Sequence, residues 1–345
     1  MTFQEVMETA RRDSGKCKAC PVCNGRACGS TMPGPGAKGT GDGAKRNYEA
    51  WQNIRVNMDT LHENFTPDTG LEIFGRRFAY PFFAGPVGAV AMHYSDKYND
   101  VIYNDVLVRA CKEAGIAAFT GDGFDPTVME AAVKAITAAQ GVGVPTIKPW
   151  DVATVEQKMA MCRESGCFAM AMDVDAAGLP FLKNRMPPAG SKTTEEMAQI
   201  IKAAEVPFIV KGIMTVRGAL KAQQAGAAAV LVSNHGGRVQ DQTPSTAEVL
   251  EEIADAVEGR MMILVDGGIR TGVDVFKALA LGADGVLIAR PYVTAVYGGG
   301  EEGVKVLTDK LAGELVSTMK MCGVSSLKEI TKDCLFKPSS SYMAF

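Results

Sequence analysis

An α/β fold of the (β/α)8 type, a TIM barrel with an N-terminal Cys-rich extension, is predicted by three observations. Eight short apolar runs each end in polar or glycine residues; stretches with apolar residues at helical spacing separate them; and successive runs lie about twenty to forty residues apart, the rhythm of a repeated strand-helix unit. A length of 345 residues suits one large barrel, and 47% hydrophobic against 22% charged residues supplies a core and excludes a disordered chain. A doubly wound open sheet is the competing architecture, but no G-x-G-x-x-G opens the first helix.

A net charge of −3 and a pI of about 5.8 argue against a nucleic-acid partner. Apolar runs fall short of a membrane span, and the start MTFQEVMETARRDSG lacks the apolar core of a signal peptide, so a cytoplasmic protein is expected. Nine cysteines are then thiols or metal ligands rather than a disulfide framework.

The extension is assigned to residues 1–45 and the barrel to residues 46–345. Residues 1–16 place Phe3, Val6, Met7 and Ala10 at helical spacing. Cys17, Cys20, Cys23 and Cys28 then form C-x2-C-x2-C-x4-C, close enough along the chain to grip one metal from a tight turn. Closely stepped cysteines suit an iron-sulfur cluster, zinc more often takes two separated pairs, and a loop of reduced thiols needs no metal; all three readings stand at this point. The glycine-rich segment Gly29 to Ala44 predicts a mobile connector, followed by a helix over Arg46 to Met58 and a hairpin-like entry over Thr69 to Phe78.

Barrel strands are predicted at Pro81–Ala84, Ala117–Thr120, Val144–Ile147, Phe168–Val174, Pro207–Val210, Ala228–Val232, Met261–Val265 and Asp284–Ile288. Helices are predicted at Asp105–Ala114, Pro126–Ala139, Val152–Ser165, Thr194–Ala204, Val216–Ala225, Ala247–Val257 and Gly272–Leu281. Active sites of such barrels gather at the C-terminal ends of the strands. Those ends carry Pro86, Val87 and Gly88; Thr120 with Gly121-Asp122-Gly123; Lys148; Asp173 and Asp175; Lys211; Ser233, His235 and Arg238; Asp266, Gly267, Gly268 and Arg270; and Ala289 with Arg290. A lysine after a strand is usually solvated and an aspartate there often caps a helix; convergence at one mouth is what favours function. Glycines and arginines after the last two strands suit a phosphate-bearing ligand, since backbone N–H groups can approach its oxygens and guanidinium pairs with them bidentately.

The segments PFIVKG, VSNHGGR, VDGGIRTGVDVFKALALGADGVLIARP and GGGEEGV resemble the FMN-dependent α-hydroxy acid dehydrogenase/oxidase family, which includes glycolate oxidase, lactate oxidase and the flavin domain of flavocytochrome b2. The similarity is densest from Pro207 to Cys334 and persists back to about Tyr48. It implies a flavoprotein that passes a hydride equivalent from a 2-hydroxy acid, lactate- or glycolate-like or larger, to FMN and yields the 2-oxo acid. His235 would be the acid/base, Arg238 would bind the substrate carboxylate, Asp175 in MDVD would orient His235, and Lys211 would stabilise charge near flavin N1. FMN would be held by Pro86, Val87, Gly88, Thr120, Lys211, Ser233, Asp266, Gly267, Gly268, Arg270, Ala289 and Arg290. The resemblance also implies a homo-oligomer, with tetramers frequent in the family, and leaves the electron acceptor unassigned.

The chain departs from the family in the shell that shapes the substrate. The N-terminal tyrosine is absent where Met32 to Ala37 stands, Lys148 in Thr146-Ile147-Lys148 replaces a substrate-contacting tyrosine, and the loop Ala176 to Gly190 offers only Lys183 or Arg185 for an expected arginine. Lys148 is therefore a further candidate for the substrate carboxylate. Two other classes compete: a non-redox FMN isomerase like type 2 isopentenyl diphosphate isomerase, whose own motifs are not visible, and a protein that binds FMN without turnover, which would not need an oriented base.

Overall fold

The computed structural model describes residues 1–336, so positions 337–345 of the expected barrel domain lie outside the described residues. Helix α1 (Phe3–Asp13) and helix α2 (Asp42–Asn53) precede a two-stranded antiparallel hairpin, β1 (Leu71–Ile73) and β2 (Arg76–Phe78). The barrel follows as β3 (Phe82–Ala84), the short α3 (Val90–His93), α4 (Asp100–Glu113), β4 (Phe119–Thr120), α5 (Pro126–Ala138), β5 (Val144–Ile147), α6 (Val152–Glu164), β6 (Met170–Asp173) and α7 (Thr194–Ala204). It continues as β7 (Phe208–Ile213), α8 (Val216–Gln224), β8 (Ala229–Val232), α9 (Thr246–Val257), β9 (Met262–Val265), α10 (Gly272–Ala280), β10 (Gly285–Ile288) and α11 (Arg290–Met321).

Strands β3 to β10 form an eight-stranded parallel sheet in the order β3-β10-β9-β8-β7-β6-β5-β4. A bridge between Ala84 and Ala118 joins its ends, so the sheet closes into the expected barrel. Strands β5, β6, β8 and β10 are buried along their whole length, because side chains on one face fill the barrel and those on the other meet helices. Thr193, Ser245 and Thr271 start α7, α9 and α10 with capping boxes closed by Glu196, Glu248 and Asp274.

Three segments differ from the sequence expectation, the first being the helix expected over Arg46 to Met58, which runs instead over Asp42–Asn53 and so spans the expected boundary between residues 45 and 46. Residues 29–41 form hydrogen-bonded turns in place of a loose connector, with 42–44 already in α2: Ala37 N donates to Gly29 O at 2.8 Å and Lys38 N to Gly237 O at 2.8 Å. Helix α11, absent from the predicted elements, runs through Gly298-Gly299-Gly300, with a break at Gly300 (φ 56°, ψ −133°). Three glycines in a row read as punctuation, yet Gly298 is needed for close packing, since a Cβ there would stand 2.1 Å from Val6 O of α1.

Candidate active site

The C-terminal ends of the strands surround a cavity of about 1200 Å³ that opens to solvent. Pro86, Val87, Gly88, Lys148, Lys211, His235, Arg238, Asp266, Gly267, Gly268, Arg270, Ala289 and Arg290 all line it. Thr120 and Ser233 are fully buried behind that lining. Ser233 Oγ accepts from Lys211 Nζ at 2.8 Å and from the His235 backbone N at 3.0 Å, so it fixes both neighbours.

His235 follows β8 with φ at +57°, a left-handed conformation that costs a non-glycine residue energy and is typical of over-determined functional positions. Gly236 and Gly237 continue in the same region, at φ 63° and 82°. A Cβ on Gly237 would stand 2.8 Å from Ala44 N, so the double glycine lets α2 pack directly on this loop. Asn234 completes the docking: its side chain exchanges hydrogen bonds of 2.7 and 3.0 Å with Asn47 of α2 and donates to Pro244 O at 3.1 Å.

Asp175 Oδ1 lies 3.1 Å from His235 Nδ1. Nδ1 therefore carries the proton that faces the carboxylate, and Nε2 is left as the basic nitrogen. Burial pushes the imidazole below its ordinary value; Asp175 opposes that, while Lys211 and Lys148 reinforce it. Burial raises Asp175, but the charges of His235 and Lys211 outweigh it and bring its pKa down to about 2. Lys211 resists the lowering effect of burial because Asp266, 3.4 Å away, and the two β6-end aspartates raise it, so it stays charged.

Lys148 pairs with Asp173 at 2.5 Å, both side chains being nearly buried. Arg238 Nη1 donates to Gly34 O and Gly36 O at 2.7 and 2.8 Å, which ties the glycine-rich segment to the mouth. Its Nη2 lies 3.4 Å from His93 Nδ1. Burial first, then Arg290, lowers the Arg238 pKa to about 10, still charged at neutral pH. Arg270 Nε donates to Cys23 O at 2.8 Å, and Arg290 Nη2 to Gly236 O at 3.0 Å. Neither Lys183 nor Arg185 lines the cavity; Arg185 lies over the Phe124 ring at 4.7 Å.

Asp173, expected at the fourth strand end, lines the cavity as well, whereas His93 and Phe181 line it without having been expected there. His93 accepts from Gly34 N at 3.2 Å, and burial with the nearby Arg238 pushes its pKa down to about 3, so it is neutral. A histidine five residues past Gly88 on the first strand-end loop was its only sequence signal. Cys17, Cys20, Cys23 and Cys28 line a second, smaller cavity behind Arg290. Burial raises the Cys17 and Cys20 thiols, and the other sulfurs raise them further.

The mouth fits FMN. Asp173 Oδ1, Asp266 Oδ1 and Thr120 Oγ1 are buried without a partner, as atoms awaiting a polar ligand would be. Gly267 and Gly268 adopt φ of 90° and 84° between Asp266 and Arg270, which suits a backbone cradle for an anion.

A (β/α)8 barrel whose mouth combines a half-buried His-Asp pair with lysines and a glycine-arginine anion cradle defines a barrel flavoenzyme. Residues 35–188 and 180–337 match the FMN-dependent dehydrogenase family, and the chain belongs to it. Glycolate oxidase 1 of Oryza sativa subsp. indica is 30% identical over 329 residues, which cover 84% of this chain and 86% of that protein. A peroxisomal (S)-2-hydroxyacid oxidase of Arabidopsis thaliana is 50% identical over 129 residues, but there the match spans only 36% of the relative's length. A solved mandelate oxidase variant carrying a monooxide FMN adduct superposes with a TM-score of 0.76 at 28% identity, covering 96% of this chain and 98% of that one. Among the described residues, no helix is long and apolar enough to cross a membrane.

Proposed function

We propose that the chain oxidises a 2-hydroxy acid to the 2-oxo acid with bound FMN, and the observation that carries this is His235 at the cavity wall, held by Asp175 from behind the lining. FMN, when bound, supplies the two-electron acceptor. Asp266, Gly267, Gly268, Arg270, Ala289 and Arg290 would hold its ribityl-phosphate end, with Pro86 to Gly88, Thr120, Ser233 and Lys211 toward the ring. His235 Nε2 takes the substrate proton, and Asp175 stabilises the imidazolium that results. Arg238 and Lys148 supply cations for the substrate carboxylate: Arg238 through Nη2, which touches no carbonyl and makes only the long contact with His93, Lys148 by sharing its charge with Asp173. Met92, Phe124, Leu179, Phe181 and Leu182 give the remaining wall an apolar surface, which favours a 2-hydroxy acid with an apolar side chain.

We also assign Cys17, Cys20, Cys23 and Cys28 to a metal centre and the chain to a cytoplasmic homo-oligomer. Nine unpaired thiols and the family's frequent tetramers support these readings, and sedimentation of the loaded protein as a monomer would reject the oligomer.

Anaerobic mixing with a panel of 2-hydroxy acids tests the activity: bleaching of bound FMN by at least one, with the 2-oxo acid as product, is expected, and none bleaching it refutes the reading. The pH dependence has a defined sign. His235 acts in its neutral form and its pKa lies below 6.5, so the bleaching rate at limiting substrate is flat above neutrality and falls as pH drops below 6.5. Asp175→Asn removes an influence that raises that pKa, so its acid limb moves to lower pH; a limb above 6.5 in the parent contradicts the assignment.

A further inference from the structure

The barrel chemistry leaves the four-cysteine run without a task. Cys17, Cys20, Cys23 and Cys28 all line one small cavity, together with Arg290 and Thr294 of α11. Gly25 and Gly29, at φ of 80° and 46°, turn the chain back so that Cys28 faces the same space as the first three. Guanidinium groups converge on this loop: Arg11 Nη2 donates to Ala19 O at 3.2 Å, Arg270 Nε donates to Cys23 O at 2.8 Å, and Arg290 lines the cavity itself. Four thiolates on a metal centre carry net negative charge, which suits this positive surrounding beside the phosphate that Arg270 and Arg290 would hold.

Spacing decides which centre. Tetrahedral zinc, with Zn–S of about 2.3 Å, holds its sulfurs about 3.8 Å apart. No three of these sulfurs lie within 4.8 Å of one another; among the described residues the group that meets that limit is Asp173, Asp175 and His235. A four-iron cube binds each thiolate to a different iron and so spreads the sulfurs more widely, and steps of two, two and four residues in one loop suit it better than two separated pairs.

We propose that Cys17, Cys20, Cys23 and Cys28 ligate one four-iron, four-sulfide cluster, set against the wall of the mouth that Arg290 shares between both cavities. This deepens the metal-centre reading and is independent of hydroxy acid oxidation. The test is the iron, acid-labile sulfide, zinc and FMN content of the full chain purified without oxygen, and again after reconstitution with ferrous iron and sulfide. About four irons and four sulfides per chain are expected, with a cubane signature in the Mössbauer spectrum. Cys20→Ser and Cys23→Ser should lose that signature, while Cys111→Ser, at a buried thiol in α4, keeps it. Stoichiometric zinc with no iron, a full cluster in Cys20→Ser, or neither metal after reconstitution overturns the proposal. Flavin that bleaches with a hydroxy acid in iron-free reconstituted protein removes the cluster and leaves the oxidation standing; a cluster beside unbleached flavin supports the cluster and removes the oxidation.

Discussion

Replacing His235 by Gln is expected to leave FMN bound and to slow its reduction by a 2-hydroxy acid by about 10²- to 10⁴-fold, the range for loss of a positioned base. Glutamine can still donate to Asp175 from the same strained loop position, so the cavity keeps its shape, but an amide nitrogen cannot accept the substrate proton that Nε2 would take. Anaerobic stopped-flow absorbance of the flavin measures the effect directly. Reduction within tenfold of the parent rate would mean that the proton leaves by another route.

Asp122→Ala is expected to destabilise the FMN-loaded protein by about 3–5 kcal/mol, the cost of stripping the partner from a buried charge. The Asp122 side chain is fully buried. Its Oδ1 accepts from Lys158 Nζ and Gly123 N at 2.8 Å, and its Oδ2 accepts from Trp150 Nε1 at 2.7 Å and Lys148 N at 3.0 Å. Alanine leaves a nearly buried ammonium and a fully buried indole N–H unpaired, and it frees the backbone beneath Lys148. Urea unfolding curves of variant and parent supply the measurement; a change under 1 kcal/mol would show that water replaces the carboxylate there.

The barrel was legible because parallel strands buried on both faces must be continuous apolar runs, as in Ala-Val-Leu-Val at β8, and because capping residues mark helix starts such as Thr194. The pairing of His235 with Asp175 was anticipated only through the family resemblance, since sixty residues of chain separate them. Other features depend on three-dimensional neighbours that no local pattern encodes. Arg238 looks like a ligand-binding cation in sequence, yet half of its fork holds the carbonyls of Gly34 and Gly36. Lys148 looks like a free cation and is paired with Asp173, and the glycines of residues 29–44 suggest looseness where they permit tight contact with the mouth.

Barrel closure has a thermodynamic consequence. Strands β6, β7 and β8 are joined to their neighbours by up to four residue pairs, but β3 meets β4 through the Ala84-Ala118 bridge and the hydrogen bond from Ala84 N to Ala117 O at 3.1 Å. This seam is where the ring can open at least cost, and it lies directly below Pro86 to Gly88 and Gly121. A cofactor gripping those loops acts as a clasp on the weakest joint of the cylinder, so its binding energy becomes resistance to breathing. Amide hydrogen exchange across Ala117 to Thr120 should slow on FMN loading more than exchange in β8; equal slowing in both would place the weak joint elsewhere.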